Sequence, residues 1–211
     1  MTIAFIGCGH VGAPLADHLQ RAGHDVVLAA TDPASDSVRK AVARNPALRV
    51  AAPGDAVAGA AVVFLATPFQ ANAAALAPLA PALTGRVLVD CTNPVGPGLT
   101  HGLASAESGA AHVQRLAPGA RVVKAFSIYG YENFEDNRFP AATVRPAMFF
   151  CGDDDGAKTV VAELIAALGW EPLDVGGLEQ ALHLEHMTLL WIRMVRVHRA
   201  PAHLVWAVLR R

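Results

Sequence analysis

The first dozen residues constrain this chain more than any other stretch. Thr2 to Gly12 read TIAFIGCGHVG. Ile3, Ala4, Phe5 and Ile6 form an unbroken apolar run, the pattern of a parallel strand buried on both faces. Gly7, Cys8, Gly9, His10, Val11 and Gly12 then spell G-x-G-x-x-G, and Pro14 to Arg21 (PLADHLQR) continues as an amphipathic helix. Gly7 permits a tight turn out of the strand, and Gly9 lets the backbone come close to a pyrophosphate. Gly12 lets the helix pack on the strand with its N-terminus aimed at the anion. Glycine-rich turns are common, so the motif alone is weak. Between an apolar strand and a helix it reads as a dinucleotide site lined by Gly7, Cys8, Gly9, His10, Val11 and Gly12.

Composition sets the outer limits. At 211 residues and 53% hydrophobic content, one compact unit with a large core is expected. No window approaches a membrane span, and the first strand carries no basic leader, so a signal peptide is not expected. A net charge of -1 gives no electrostatic case for nucleic acid or an anionic membrane. Cys8, Cys91 and Cys151 are odd in number and far apart, which argues for a reducing compartment and against a disulfide framework or structural zinc. A cytoplasmic protein with a small-molecule substrate is the expectation.

The rest of the first half repeats one pattern. Asp25 to Ala29 (DVVLA) is a second strand, followed by Thr31 and Asp32. Asp32 lies where an acid can bind the adenosine ribose hydroxyls, or where it can simply cap the turn before the helix Ser37 to Arg44. Arg39 and Lys40 are within reach of a 2′-phosphate, or are solvated surface bases. Leu48–Ala51, Ala61–Ala66 and Arg86–Asp90 are strands, with helical segments at 54–58 and 69–79. This alternation predicts right-handed crossovers and a doubly wound, mostly parallel sheet of the Rossmann type. Ligands lie outside the carboxyl ends of such strands, which brings Ala66-Thr67-Pro68 and Asn93-Pro94 to the crevice of the glycine turn.

The stretch 93–102 (NPVGPGLTHG) shows no periodicity and reads as a lid or binding loop, with a helix from Ala104 to Leu116 after it. Arg121 to Phe126 (RVVKAF) is a further strand. Lys124 interrupts it, either contacting ligand or snorkelling from an edge strand. Ala125 and Ser127, where that strand meets the crevice, are candidates for cofactor contact. Tyr129, Tyr131 and Phe134 crowd the next loop and either stack on a flat substrate or close a hydrophobic edge. Met148–Gly152 is a strand, and Asp153 is expected to cap the helix Gly156–Leu168 rather than to hold a metal. Glu171–Val175 is a final strand before a long helix from Leu178 to about Val197. His183 and His186 read as packing or interface residues, with no metal expected. Residues 1–126 are thus a dinucleotide-binding core, and 127–211 a helical part that covers the substrate, within one unit of 1–211.

Several segments together resemble the NADPH-dependent coenzyme F420 (deazaflavin) reductases, a group that includes the reductase domains of some membrane ferric reductases. They are GCGHVG, LATPFQ, VDCTNPV, VVKAFSIYGYENF and FFCGDDDGAKTVVAELIAALGWEPLDVGGLE. The resemblance implies hydride transfer between a nicotinamide and a flat acceptor such as F420 or a flavin, a C-terminal helical segment closing the site, and a homodimer. Two departures stand out. The family commonly has Ser-Arg after the second strand to hold the 2′-phosphate of NADP; here stand Ala30, Thr31 and Asp32, so a weak preference for NADP, or one for NAD, is expected. Many relatives carry Asn where this chain has Ser127. With no membrane-spanning stretch, a membrane-type ferric reductase is not expected. Two alternatives accompany this reading: a small-carbonyl reductase, which needs a proton donor such as Lys124 or Tyr129, and a non-catalytic redox sensor.

Overall fold

The apolar strands sort into the sheet that their pattern predicts. The computed structural model describes residues 1–140 and 142–211. Five strands build its first half: β1 (Thr2–Ile6), β2 (Asp25–Ala29), β3 (Arg49–Ala51), β4 (Val62–Leu65) and β5 (Val87–Asp90). Helices α1 (Gly12–Arg21), α2 (Asp36–Arg44), α3 (Pro53–Ala58) and α4 (Asn72–Leu76) connect them. A two-residue hairpin of β6 (Val95–Gly96) and β7 (Thr100–His101) follows, then α5 (Gly109–Leu116), β8 (Arg121–Lys124) and α6 (Glu132–Glu135). β9 (Ala147–Gly152), α7 (Asp155–Ala167), β10 (Glu171–Asp174) and α8 (Ala181–Ile192) complete the order.

The eight-stranded sheet runs β3-β2-β1-β4-β5-β8-β9-β10. From β3 to β8 all neighbours are parallel. β9 pairs antiparallel with β8, and β10 runs parallel to β9. The order in which strands are added reverses between β1 and β4, the switch point where doubly wound sheets bind ligands. Burial explains the rigidity of this platform. Phe5 and Phe64 stack with centroids 4.6 Å apart, and Phe126 packs on Phe64 at 5.7 Å. All three are fully buried, each worth about 1.5–3 kcal/mol of transfer free energy.

Several boundaries differ from the sequence pattern, for local reasons. Residues 93–102 are not an irregular loop, because 95–96 and 100–101 pair around a 3-10 turn at Pro97–Leu99. The helix expected from Ala104 begins at Gly109, since Ala104 and Ser105 have φ of 52° and 58° and cannot sit in an α-helix. Ser108 starts it by accepting a hydrogen bond from Ala111 N at 3.0 Å. The cap of α7 is Asp154, which accepts from Ala157 N at 2.7 Å. Asp153 instead accepts from Leu178 N at 2.7 Å and anchors the last helical segment. That segment runs without a break from a 3-10 turn at Leu178–Gln180 through α8 to a π-turn at Arg193–Val197.

Candidate active site

The three glycines of the first turn play different parts. Gly7 has φ +94°, and a Cβ there would lie 2.8 Å from the carbonyl carbon and oxygen of Ala66. A Cβ on Gly12 would overlap the Gly7 carbonyl oxygen. Both positions are therefore fixed by folding: β1, α1 and the end of β4 meet too closely for any side chain. Gly9 is different. A Cβ there would meet nothing within 4 Å. The fold makes no demand for glycine at this point, and the open face it leaves is a cradle that a side chain would fill. The residues present thus fit a pyrophosphate.

On one side of this turn lies a cavity of about 380 Å³ walled by Gly7, Ala29, Thr31, Pro53, Thr67 and Ala75. It is mostly apolar and sits between the ends of β2 and β4, a shape suited to an adenosine. Asp32 is exposed beside it, with Oδ1 accepting from Ala34 N at 2.9 Å. That turn leaves the other carboxylate oxygen for a ligand hydroxyl, so capping and ribose binding are compatible.

On the other side, the strand ends are tied together by polar side chains. Thr67 Oγ1 donates to Asn72 Oδ1 (2.8 Å), Asn72 Nδ2 to Thr92 Oγ1 (3.0 Å), and Thr92 Oγ1 to Asp90 Oδ1 (2.7 Å). Asn93 Nδ2 donates to the Ser127 carbonyl at 2.9 Å. From α8, Thr188 Oγ1 lies 2.8 Å from that carbonyl and 3.1 Å from Asn93 Oδ1. The turns after β4, β5 and β8 are thus fixed relative to one another and to α8. At their junction Phe126 has φ +54°, a conformation costing of order 1–3 kcal/mol that the surrounding packing holds. Beside it the Ser127 hydroxyl is buried and has no hydrogen-bond partner among the described residues. A buried, unsatisfied hydroxyl is costly, which makes this one a fitting partner for a polar group of a ligand.

Lys124 neither snorkels nor stands on an edge. β8 lies between β5 and β9, and the side chain is fully buried. Its Nζ reaches Asp90 Oδ2 at 3.0 Å and Glu185 Oε1 at 3.1 Å, and also donates to the Thr92 carbonyl. Glu185, from α8, accepts further hydrogen bonds from His101 Nε2 (2.8 Å), Gly109 N (2.9 Å) and Ala110 N (3.2 Å). His101 Nδ1 accepts from Leu103 N and Ser105 N, which assigns the ring proton to Nε2. Burial, the largest influence, pushes the Lys124 ammonium down. Attraction to Asp90 and Glu185 and hydrogen bonds to both outweigh it, so the group is held above the ordinary lysine value. The Glu185 carboxyl is raised most by burial, yet attraction to Lys124 and hydrogen bonds from His101 and Gly109 leave it below the ordinary range. Lys124 thus ties the ends of β5 and β8 to α8. Glu185 and His101 carried no motif; the one legible signal was an acid ending β5 and a base ending β8, at positions that pair in register.

Tyr129 is also taken out of the crevice. It is buried, stacks on Trp170 with centroids 5.2 Å apart, donates to the Ala147 carbonyl (2.6 Å) and accepts from Trp206 N (3.0 Å). Both hydrogen-bonding roles of its hydroxyl are used, and burial pushes its pKa well up, so it is unsuited to proton donation. Tyr129→Phe is accordingly expected to cost about 1–2 kcal/mol in urea unfolding and to leave turnover unchanged. A drop in kcat without loss of stability would restore it to the site. Tyr131 is half exposed and stacks on His10 at 4.7 Å, so it is the tyrosine beside the glycine turn. His186 packs on His101 at 5.5 Å and hydrogen-bonds Ser105 Oγ. Among the described residues, no three His, Cys, Asp or Glu side chains gather as a metal site, and no helix is long and apolar enough to cross a membrane.

Comparison with known proteins follows this geometry. Residues 2–94 match the profile of the family described as NADP oxidoreductase coenzyme F420-dependent. The chain is 30% identical to the F420-dependent NADP reductase of Methanothermobacter marburgensis over 212 positions, covering 92% of each protein. It is also 30% identical over 188 residues to the metalloreductase STEAP3 of Rattus norvegicus, covering 89% of this chain but only 36% of that protein. A crystal structure of a candidate F420-dependent NADP reductase from Arthrobacter sp. FB24 superposes with a TM-score of 0.88 at 30% identity, covering 99% of both chains. A hypothetical protein from Sinorhizobium meliloti follows at 0.77 and 26%, with 98% and 95% covered. On these matches, the chain belongs to the coenzyme F420-dependent NADP oxidoreductase family.

Proposed function

We propose that this protein moves a hydride between a nicotinamide dinucleotide, NADP or NAD, and a flat acceptor of the deazaflavin or flavin class. The observation that carries this reading is the open face of Gly9, in the turn that follows β1 at the carboxyl end of the parallel sheet. When bound, the dinucleotide would supply the hydride, which a deazaflavin would accept at a ring carbon and a flavin at a ring nitrogen, with one proton taken up from solvent. The chain's own residues orient and enclose. Gly7 to Gly12 cradle the pyrophosphate, and Thr31 and Asp32 flank the adenosine. Ala66, Thr67, Pro68, Asn93, Pro94, Ala125 and Ser127 surround the nicotinamide, with the Ser127 hydroxyl as a donor to its amide. Residues 127–211, with Tyr131 in place of Tyr129, cover the acceptor. Lys124 and Tyr129 are committed to internal hydrogen bonds, which counts against carbonyl reduction, because that reaction needs a proton donor at the site. Exposed Leu190 and Val197 on the outer side of the last helix support a homodimer, and three free cysteines support a cytoplasmic location.

The test is turnover with NADPH deuterated at the transferable position. The reduced deazaflavin is expected to carry the label on its ring carbon; with a flavin, whose N–D exchanges with water, the expected sign is a primary isotope effect on flavin reduction. Ser127→Ala is expected to lower kcat/KM about tenfold, or ~1.4 kcal/mol, without lowering the melting temperature. Label lost to water from the reduced deazaflavin, or no turnover with either acceptor class, would sink the proposal.

A further inference from the structure

The arginine missing after β2 has a counterpart one helix further on. Ser37, Lys40 and Arg44 share one face of α2 and, with Gly9 and His10, line a second cavity of about 380 Å³ on the far side of the glycine turn. The charges around it sort themselves. Arg39 pairs with Asp36, and Arg44 with Asp17 and Glu135. Lys40, exposed and lining the cavity, makes no ion pair or hydrogen bond among the described residues. The two cavities meet at Gly7 to Gly9, with Asp32 at the adjoining end of β2. A dinucleotide with its adenosine in the apolar cavity and its pyrophosphate on Gly9 would have to pass this junction, and Lys40 lines the cavity on the α2 side of it.

We propose that Lys40, with the Ser37 hydroxyl beside it, takes the 2′-phosphate of NADP in this chain. The inference rests on the dinucleotide reading above and adds what that reading leaves open, namely how an NADP family member works without its arginine. Asp32 keeps its place as a partner for the ribose hydroxyls of NAD. Preference is then a contest between Lys40, which attracts the phosphate, and Asp32, which repels it.

The experiment is calorimetric titration of the whole chain with NADP+ and, separately, NAD+. Lys40→Ala is expected to weaken NADP+ binding about tenfold or more and to leave NAD+ binding within about twofold, while Lys40→Arg restores most of the loss. Lys40 is exposed, so melting temperatures of both variants are expected to match the parent and to show that folding is not the cause. An unchanged NADP+ affinity in Lys40→Ala, or equal losses for both dinucleotides, would overturn the assignment. So would an unaltered protein that binds NAD+ but not NADP+. Binding of neither dinucleotide by the unaltered protein would overturn the dinucleotide reading itself, and this proposal with it.

Discussion

Gly9→Val is expected to reduce dinucleotide affinity at least about a hundredfold, ~2.7 kcal/mol, while the protein melts within a few degrees of the parent. The reasoning starts from what a side chain would meet. At Gly9 it meets nothing in the folded protein, so the added atoms cost folding little. They project into the space through which a pyrophosphate must approach to receive backbone N–H groups, and an oxygen cannot share that space with two methyl groups. The contrast with its neighbours is the control. Gly12→Ala would force a Cβ against the Gly7 carbonyl, and Gly7→Ala would add a left-handed φ to a clash with Ala66. Both are expected to lower stability by 1–3 kcal/mol or more through strain and overpacking. Calorimetric titration and a melting curve on each variant separate the two outcomes. Unchanged affinity in Gly9→Val would remove the glycine turn from the site.

The second large effect belongs to Lys124. Lys124→Met is expected to cost about 3–5 kcal/mol, since it leaves Asp90 and Glu185 buried without their shared cation. That is a large part of a typical stability of 5–15 kcal/mol. The pH dependence distinguishes this from simple loss of packing. In the native protein the Lys124 pKa is raised, so its contribution is complete below the ordinary lysine value and is lost as pH rises through the folded one. The Glu185 pKa is lowered, so its contribution is complete above the ordinary glutamate value and is lost as pH falls through the folded one. Between those limits the pair is fully stabilising. In Lys124→Met the sign reverses for Glu185: burial, its largest influence, is then no longer opposed by the Lys124 cation, and the carboxyl binds a proton more readily folded than unfolded. Stability of the variant therefore rises as pH falls from 8 to 5, and the deficit narrows. Urea unfolding at both pH values measures it. A deficit independent of pH would show that Lys124 contributes only by filling space, and Glu185→Gln in the Lys124→Met background is expected to recover part of the loss.

What the sequence made legible follows from where the information sits. Buried parallel strands announce themselves as apolar runs, so β1, β2, β4, β5 and β8 could be placed within a residue or two, and the glycine spacing located the crevice. Adjacency across distant chain could not be read in the same way. Glu185 looks like an ordinary helical glutamate until α8 is laid against the N-terminus of α5, where it meets two backbone N–H groups and Lys124. Tyr129 and Tyr131 are two residues apart, yet one is sealed under Trp206 and the other faces His10, because the side chain's direction depends on a turn that local pattern does not specify. The hairpin at 95–101 was hidden for another reason. Strands of two residues among prolines and glycines carry no periodicity at all.

The separations within the buried network also have a meaning in time. During synthesis Asp90 emerges 34 residues before Lys124 and much earlier than Glu185. At typical elongation rates of 5–20 residues per second, the first interval alone lasts roughly 2–7 s. Through that window the nascent chain already holds β1 to β5, the glycine turn and the adenosine cavity, but β5 is an open sheet edge whose neighbour does not yet exist. A polar side chain, Asp90, ends that edge, and charged residues on sheet edges discourage pairing with another chain. The residue that later fastens the two halves of the sheet thus stands at the very edge that must wait for its partner.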